Sequence, residues 1–285
     1  MRVRTRYLPP GWYPGSAEQT LAAIGGLAQA SDNGQPPAVA GAAPAAAGVA
    51  PHAGWEFSGR LALEVFSTLP RTLDTIVIIG GHLGPADGIL CAFEDAYETP
   101  LGPVPADLEL LERVRAESSV REDRHADNTV EIHLPFVRHL FPRARVLGFR
   151  AAPSREAEGL GAAIARAADQ AGRAVAVVGS TDLTHYGSTY GFQPAGKGDS
   201  ALRWVREVND RRFIDSVLAL DVGAAIERAL GERSACSAGG AIAAMSYARA
   251  RGATAATLIR YMTSFEVHPA ESFVGYAGIV FRKGA

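Results

Sequence analysis

Four places in the sequence carry side chains that can do chemistry, and each falls where a strand gives way to a loop or helix. They are His52, His82, the pair Asp182 and His185, and Cys236. The pair lies in Val178-Gly179-Ser180-Thr181-Asp182-Leu183-Thr184-His185-Tyr186, directly after the apolar run Ala174–Val178. A carboxylate near an imidazole fixes its tautomer and keeps it basic, which is what a general base requires. By itself the pair also fits a polar loop in which Asp182 caps the next helix and His185 sits on the surface. His52 reads alone as a packed loop histidine, and His82 as an exposed residue after the Gly80-Gly81 turn. Cys236 alone reads as a small buried thiol. Together the three change meaning. A thiol at a helix amino terminus tends toward thiolate, and with two neutral imidazoles it makes a three-ligand metal site with room for water or substrate. His133 is a further catalytic candidate, behind the ligands or as a proton carrier, its bland alternative being to cap the helix that begins at Pro135. His125, His139 and His268 have no neighbours in sequence that argue for chemistry.

To meet at one site these groups need alternating strands and helices, because ligands collect at the carboxyl ends of strands in such folds. Thr75–Ile79 is the clearest strand, β-branched and continuous as a strand covered on both faces should be, and it ends at Gly80-Gly81-His82. Further strands are expected ending at His52, over 89–93, at Arg145–Phe149 and Ala174–Val178, and at Thr257–Thr263 and Gly275–Phe281. A helix should follow Ser16, with Leu21, Ile24 and Leu27 on its apolar face. Others are expected from Ser58 through Leu69, over Ala106–Glu117, from Pro135, and over Glu156–Ala171. Two more are expected over about 200–217 and 221–230, and a last one over 238–251, just after Cys236. Asn33-Gly34-Gln35-Pro36-Pro37 breaks the chain, and Ala38–Val49 is low in complexity. Residues 121–127 read as a charged loop. The glycine-rich stretch 187–199 reads as a loop whose Tyr190 and Phe192 could cover a site.

The bulk numbers exclude several classes. At 47% hydrophobic and 20% charged the chain is an ordinary globular one, and 285 residues suffice for one large α/β domain. A net charge of -2 with no dense Lys/Arg run gives no nucleic-acid footprint. No apolar run is long enough for a membrane span, and the basic start Met1-Arg-Val-Arg-Thr-Arg lacks the apolar segment of a secretory signal. Two cysteines, Cys91 and Cys236, are too few for a disulfide scaffold, so the expectation is a cytoplasmic protein with reduced thiols. No internal repeat or domain boundary interrupts the sequence, which is read as one domain over 1–285.

The motifs resemble a known family. Gly11-Trp12-Tyr13-Pro14, Pro51-His52-Ala53-Gly54-Trp55, Glu131-Ile132-His133-Leu134-Pro135-Phe136, Ser180–Tyr186 and Cys236 occur in the order seen in Memo-like proteins. That family is also called the AmmeMemoRadiSam system protein B family, and the likeness runs from about residue 6 to 281. It implies a single α/β domain with a central mixed β-sheet flanked by helices, similar to the LigB-type class III extradiol dioxygenases. Those relatives hold non-haem Fe(II) and cleave catechol rings. By motif the resemblance places the metal ligands on His52, His82 and Cys236, has Asp182 and His185 line the pocket, and makes His185 the acid/base group.

The implied function is a mononuclear metal redox enzyme of dioxygenase type, using Fe(II) or copper on an unidentified small-molecule substrate. A thiolate is softer than a carboxylate and is itself oxidisable, so copper or zinc also suits the site. A zinc-type hydrolase in the same pocket is therefore a second reading, and a non-enzymatic metal- or peptide-binding protein a third, though no Arg cluster suits a phosphate. Radical-SAM and AMMECR-type pathway partners are implied by the resemblance as well. Three positions depart from the family pattern. The loop before His82 is one residue short, Asn128 stands where the family has a histidine, and Ser237 follows Cys236 in place of glycine.

Overall fold

Thr75–Gly80 alternates its side chains between two apolar layers, Ile76 and Ile78 packing into one and Val77 and Ile79 into the other. That is the behaviour of a strand covered on both faces, and it holds for the strands beside it. The computed structural model describes residues 1–29 and 44–283, so the Asn33–Pro37 break and the first half of the low-complexity stretch lie outside the described residues. Nine strands form one mixed sheet. They are β1 (Ala47–Ala50), β2 (Thr75–Gly80), β3 (Ile89–Cys91), β4 (Val120–Glu122), β5 (Arg145–Ala151), β6 (Val175–Ser180), β7 (His185–Tyr186), β8 (Ala255–Thr263) and β9 (Phe273–Arg282). The order is β7-β9-β1-β6-β2-β5-β3-β4, with β8 pairing β9. The centre, β1-β6-β2-β5, is parallel. β9 joins it antiparallel on one side and β3 on the other. Val3–Arg4, Ala96–Tyr97 and Val104–Pro105 form a separate small sheet.

Helices cover both faces. α1 (Ala17–Gln29), α2 (Arg60–Ser67) and α4 (Leu134–Leu140) pack Ile24, Phe66 and Phe136 on one side. α3 (Leu108–Glu117), α5 (Arg155–Ala171), α6 (Asp210–Leu218), α7 (Val222–Glu232) and α8 (Ala238–Ala250) cover the other. α8 is buried through eleven of its residues, Ala238–Ala248, and each of Ile242 and Met245 gains roughly 1.5–3 kcal/mol by leaving water. The result is a single-domain α/β fold with a mixed central sheet, as expected.

Four local expectations change. The helix expected from Ser58 starts earlier, through a π-helical turn at Trp55–Gly59 that feeds α2. Tertiary contacts hold that turn: Trp55 stacks on Phe136 at 4.3 Å and its indole N–H donates to Ile132 O at 3.1 Å. Residues 121 and 122, expected in a loop, belong to β4, which pairs with β3. No helix follows Asp182, because His185 and Tyr186 pair with β9 as β7. His133 does occupy the N-cap position of α4, yet its side chain makes no capping bond. No helix among the described residues is long and apolar enough to cross a membrane.

Candidate metal centre

In the sheet β6 stands between β1 and β2, with Ala50 opposite Ser180 and Ile79 opposite Gly179. The loops that begin at Pro51, Gly81 and Thr181 therefore leave one edge side by side. This register brings together residues separated by more than a hundred positions.

His52 is almost wholly buried. Its backbone N–H donates to Asp182 Oδ1 at 2.7 Å, its Nδ1 lies 3.0 Å from Ser180 Oγ, and its Nε2 lies 3.3 Å from Cys236 Sγ. The short loop to His82 turns sharply at Gly81, whose φ is +105° and where a Cβ would come within 2.6 Å of Arg150 Cβ. Only glycine fits there. The Gly81 N–H donates to Thr129 Oγ1 at 2.9 Å, and the loop still delivers the His82 ring to 5.1 Å from that of His52. His82 Nδ1 lies 3.5 Å from Asp127 Oδ2, which in turn lies 3.2 Å from Arg150 Nε.

Cys236 approaches from the start of α8. The first turn of that helix presses on the strand ends so closely that a Cβ on Gly240 would meet Ile79 O at 2.1 Å. The Cys236 N–H donates to Asp182 O at 3.2 Å. The donor atoms of His52, His82 and Cys236 all lie within 4.8 Å of one another, and so do those of Asp182, His185 and Cys236.

Burial decides the protonation states. It pulls the His52 imidazole down to about 3, with His82 adding to the effect, so the ring is neutral. Burial also lowers His185, although the Asp182 carboxylate works the other way. Asp182 is raised by burial. For Asp127 burial works upward but loses: His82, Thr129 and Arg150 hold its carboxyl well below the usual range. The thiolate expected of Cys236 does not follow from its helix. Cys236 stands two residues before α8, and burial followed by the Asp182 charge pushes its thiol well up. A metal must displace that proton to bind.

His52, His82, Asp182 and His185 line a cavity of about 640 Å³; Cys236 and Asp127 stand behind its wall. Trp12, Phe57, Tyr190 and Tyr276 give it aromatic walls, and no Lys or Arg among the described residues lines it. Tyr190 lies over His185, ring centroids 4.9 Å apart, whereas Phe192 turns away to pack against Tyr186 and Trp204. The His185 loop is held from behind by Asp210, which accepts from the Thr184 N–H at 3.0 Å and from the Tyr261 hydroxyl at 2.7 Å. A larger hollow of about 910 Å³ lies across Pro10-Gly11-Trp12. Both groups of metal-ligating side chains found among the described residues lie at the smaller cavity instead.

His133 is fully buried and does not line the cavity; it reaches the site through Ser180, whose Oγ lies 3.0 Å from its Nε2. Asn128 does line it and donates to His52 O at 3.2 Å. Asp127, Ser180 and His268 are the residues that sequence reading passed over. His268 stands at the cavity wall, its Nε2 2.8 Å from Glu56 Oε1. Only Ser180 carried a local signal, since it ends the strand that leads to Asp182. His125 and His139 are exposed and line no part of the cavity.

Comparison with known proteins places the geometry in context. A family profile described as Memo-like protein matches residues 11–280. A MEMO1 family protein of Thermococcus onnurineus is 36% identical over 81% of this chain and 85% of its own length. One of Methanothermobacter thermautotrophicus is 33% identical over 86% and 87%. Among solved structures, an uncharacterized Escherichia coli K12 protein shares the fold with a TM-score of 0.52 at 12% identity, covering 82% of this chain and 98% of that one.

Proposed function

This chain belongs to the Memo-like protein family, and on that premise we propose that it is a mononuclear metal-dependent redox enzyme of dioxygenase type. Its metal is Fe(II), with copper as the alternative, held by His52, His82 and Cys236. One observation carries the reading: the donors of His52, His82 and Cys236 converge within 4.8 Å, and the two histidines face a cavity large enough for a small molecule. The residues fit an ion, since Ser180 and Asp127 occupy the Nδ1 sides of the two rings and leave both Nε2 atoms for it.

Bound there, the ion supplies electron transfer with O₂ and polarises an oxygen-bearing substrate. The protein does the rest. His185, neutral through burial, takes a proton from the substrate. Asp182, anchored on the His52 amide, sets the charge beside His185 and stabilises the imidazolium that results. Tyr190, Trp12 and Phe57 hold the apolar part of the substrate and keep water out. The family resemblance supports radical-SAM and AMMECR-type proteins as pathway partners.

The thiol ligand favours a second reading, a zinc hydrolase in the same pocket, because sulfur suits zinc at least as well as iron. Metal content after anaerobic purification without added metal, for wild type and Cys236→Ser, tests both. Iron or copper bound in wild type, lost in the variant, and O₂ uptake on reloading support the redox enzyme. Zinc without O₂ chemistry selects the hydrolase. No metal under any loading refutes both.

A further inference from the structure

Behind His52, on the side away from the cavity, three buried side chains form a line. Ser180 Oγ lies 3.0 Å from His52 Nδ1 and 3.0 Å from His133 Nε2. The three residues are 1%, 0% and 0% exposed, so no solvent competes for these contacts. A ring buried this completely, with a hydroxyl beside it, is neutral, and a neutral imidazole has one N–H and one bare nitrogen. A hydroxyl has one proton to give.

The line can therefore run in either direction. Running toward the cavity, His133 Nε2–H donates to Ser180 Oγ and the Ser180 hydroxyl donates to His52 Nδ1. His52 then carries its proton on Nε2, facing Cys236 Sγ at 3.3 Å. Running away from it, His52 Nδ1–H donates to Ser180 and Ser180 donates to His133 Nε2. His133 then carries its proton on Nδ1. The count is the same in both: one proton on each ring and one on the hydroxyl.

His133 Nδ1 is what separates them. It is buried with no hydrogen-bond partner among the described residues. An orphaned buried N–H is among the rarest features of folded proteins, and a bare nitrogen is the easier state to bury. The metal-free chain therefore runs toward the cavity. A metal on His52 Nε2 forbids that direction, because the ligating nitrogen must be bare. A third arrangement, Ser180 accepting from both rings, would leave the hydroxyl proton without an acceptor as well as Nδ1 without a donor. Reversal leaves a single unsatisfied group.

We propose that Ser180 and His133 are positioning residues for His52, and that metal binding at His52 Nε2 reverses this hydrogen-bond line and moves the His133 proton from Nε2 to Nδ1. In that exchange His133 Nε2 gives its proton to Ser180, Ser180 gives its own to His52 Nδ1, and the His52 Nε2 proton leaves for water. His133 Nδ1 takes one proton from water during transient opening, so the line's charge is unchanged. The inference rests on the metal reading and adds to it a buried residue outside the cavity whose tautomer reports the state of the site.

Ring ¹⁵N–¹H correlation spectra of the full chain, labelled at histidine, read the protonated nitrogen directly. With one equivalent of Zn(II), His52 and His82 should shift and the His133 proton should move from Nε2 to Nδ1. Zinc bound at His52 with His133 still protonated on Nε2 overturns this inference alone. Spectra in which neither His52 nor His82 responds to zinc overturn it together with the metal reading. Ser180→Ala should uncouple His133 from zinc and weaken zinc binding about 10–100-fold. A His133 response that survives in Ser180→Ala also overturns it.

Discussion

Of the three donors His82 is held least by packing, its side chain 42% exposed against 1% for His52. What positions it is Asp127, 3.5 Å from Nδ1 and itself fixed by the Thr129 N–H at 2.9 Å and Arg150 Nε at 3.2 Å. Asp127→Asn keeps the size and an acceptor oxygen but removes the charge that favours a proton on Nδ1 and a bare Nε2. Losing such a partner behind a ligating histidine costs about 10–100-fold in metal affinity. The contact is long and partly solvated, so the lower end applies: about tenfold, or about 1.4 kcal/mol. Competition with a chromogenic zinc chelator measures it. A thermal melt serves as the control, since the substitution also breaks one Arg150 ion pair and leaves that to Asp123 at 3.1 Å. Zinc affinity within twofold of wild type, with the melt unchanged, would refute the reasoning. His82→Ala then tells whether Asp127 fails to position His82 or His82 is no ligand.

Gly81→Ala should lower stability by about 1–3 kcal/mol, because a Cβ there meets Arg150 while φ sits at +105°. Urea midpoints check it, and an unchanged midpoint would mean the His82 loop adapts freely. The pH dependence has two opposing parts. His52 and His133, both drawn down to about 3 by burial, lose stability as pH falls below about 6.5, each by about 1.4 kcal/mol per pH unit. Asp210, pushed up to about 7 by burial, holds a proton the unfolded chain releases, so its share grows as pH falls through 7. Asp210→Asn should therefore steepen the acid loss between pH 6.5 and 5 by about 1.4 kcal/mol per unit. Equal slopes for wild type and variant would contradict this balance.

Strand ends were legible in the sequence, and pairings across the sheet were not. The run Thr75–Ile79 and the apolar stretch before Gly179 mark β2 and β6 because β-branched and apolar continuity is a local property. Those ends carry His82 and Asp182, and the strand before His52 was read the same way. Asp127 lies 45 residues from His82 and Ser180 lies 47 from His133, joined only after β1, β6 and β2 take their places. A period says which face a residue occupies, and strand order says whom it meets there. The π-helical turn at Trp55 was hidden for the same reason, its cause being Phe136 and Ile132 in a distant helix and its lead-in.

Cys236 shows how far tertiary surroundings can reverse a local rule. A helix amino terminus favours thiolate by a charge effect that fades within a turn. The fold sets Cys236 two residues outside α8, half-buries it, and places the Asp182 carboxylate beside it, so the thiol keeps its proton. Burial strips His52 of its charge and leaves it ready to ligate. Without a metal the pocket therefore holds a neutral thiol against a neutral imidazole, two groups that neither repel each other nor react readily with oxidants. An ion held there would supply the positive charge that turns this thiol into a thiolate. On this account the softness of the site toward metals, and its sensitivity to oxidation, belong to the loaded protein and not to the chain alone.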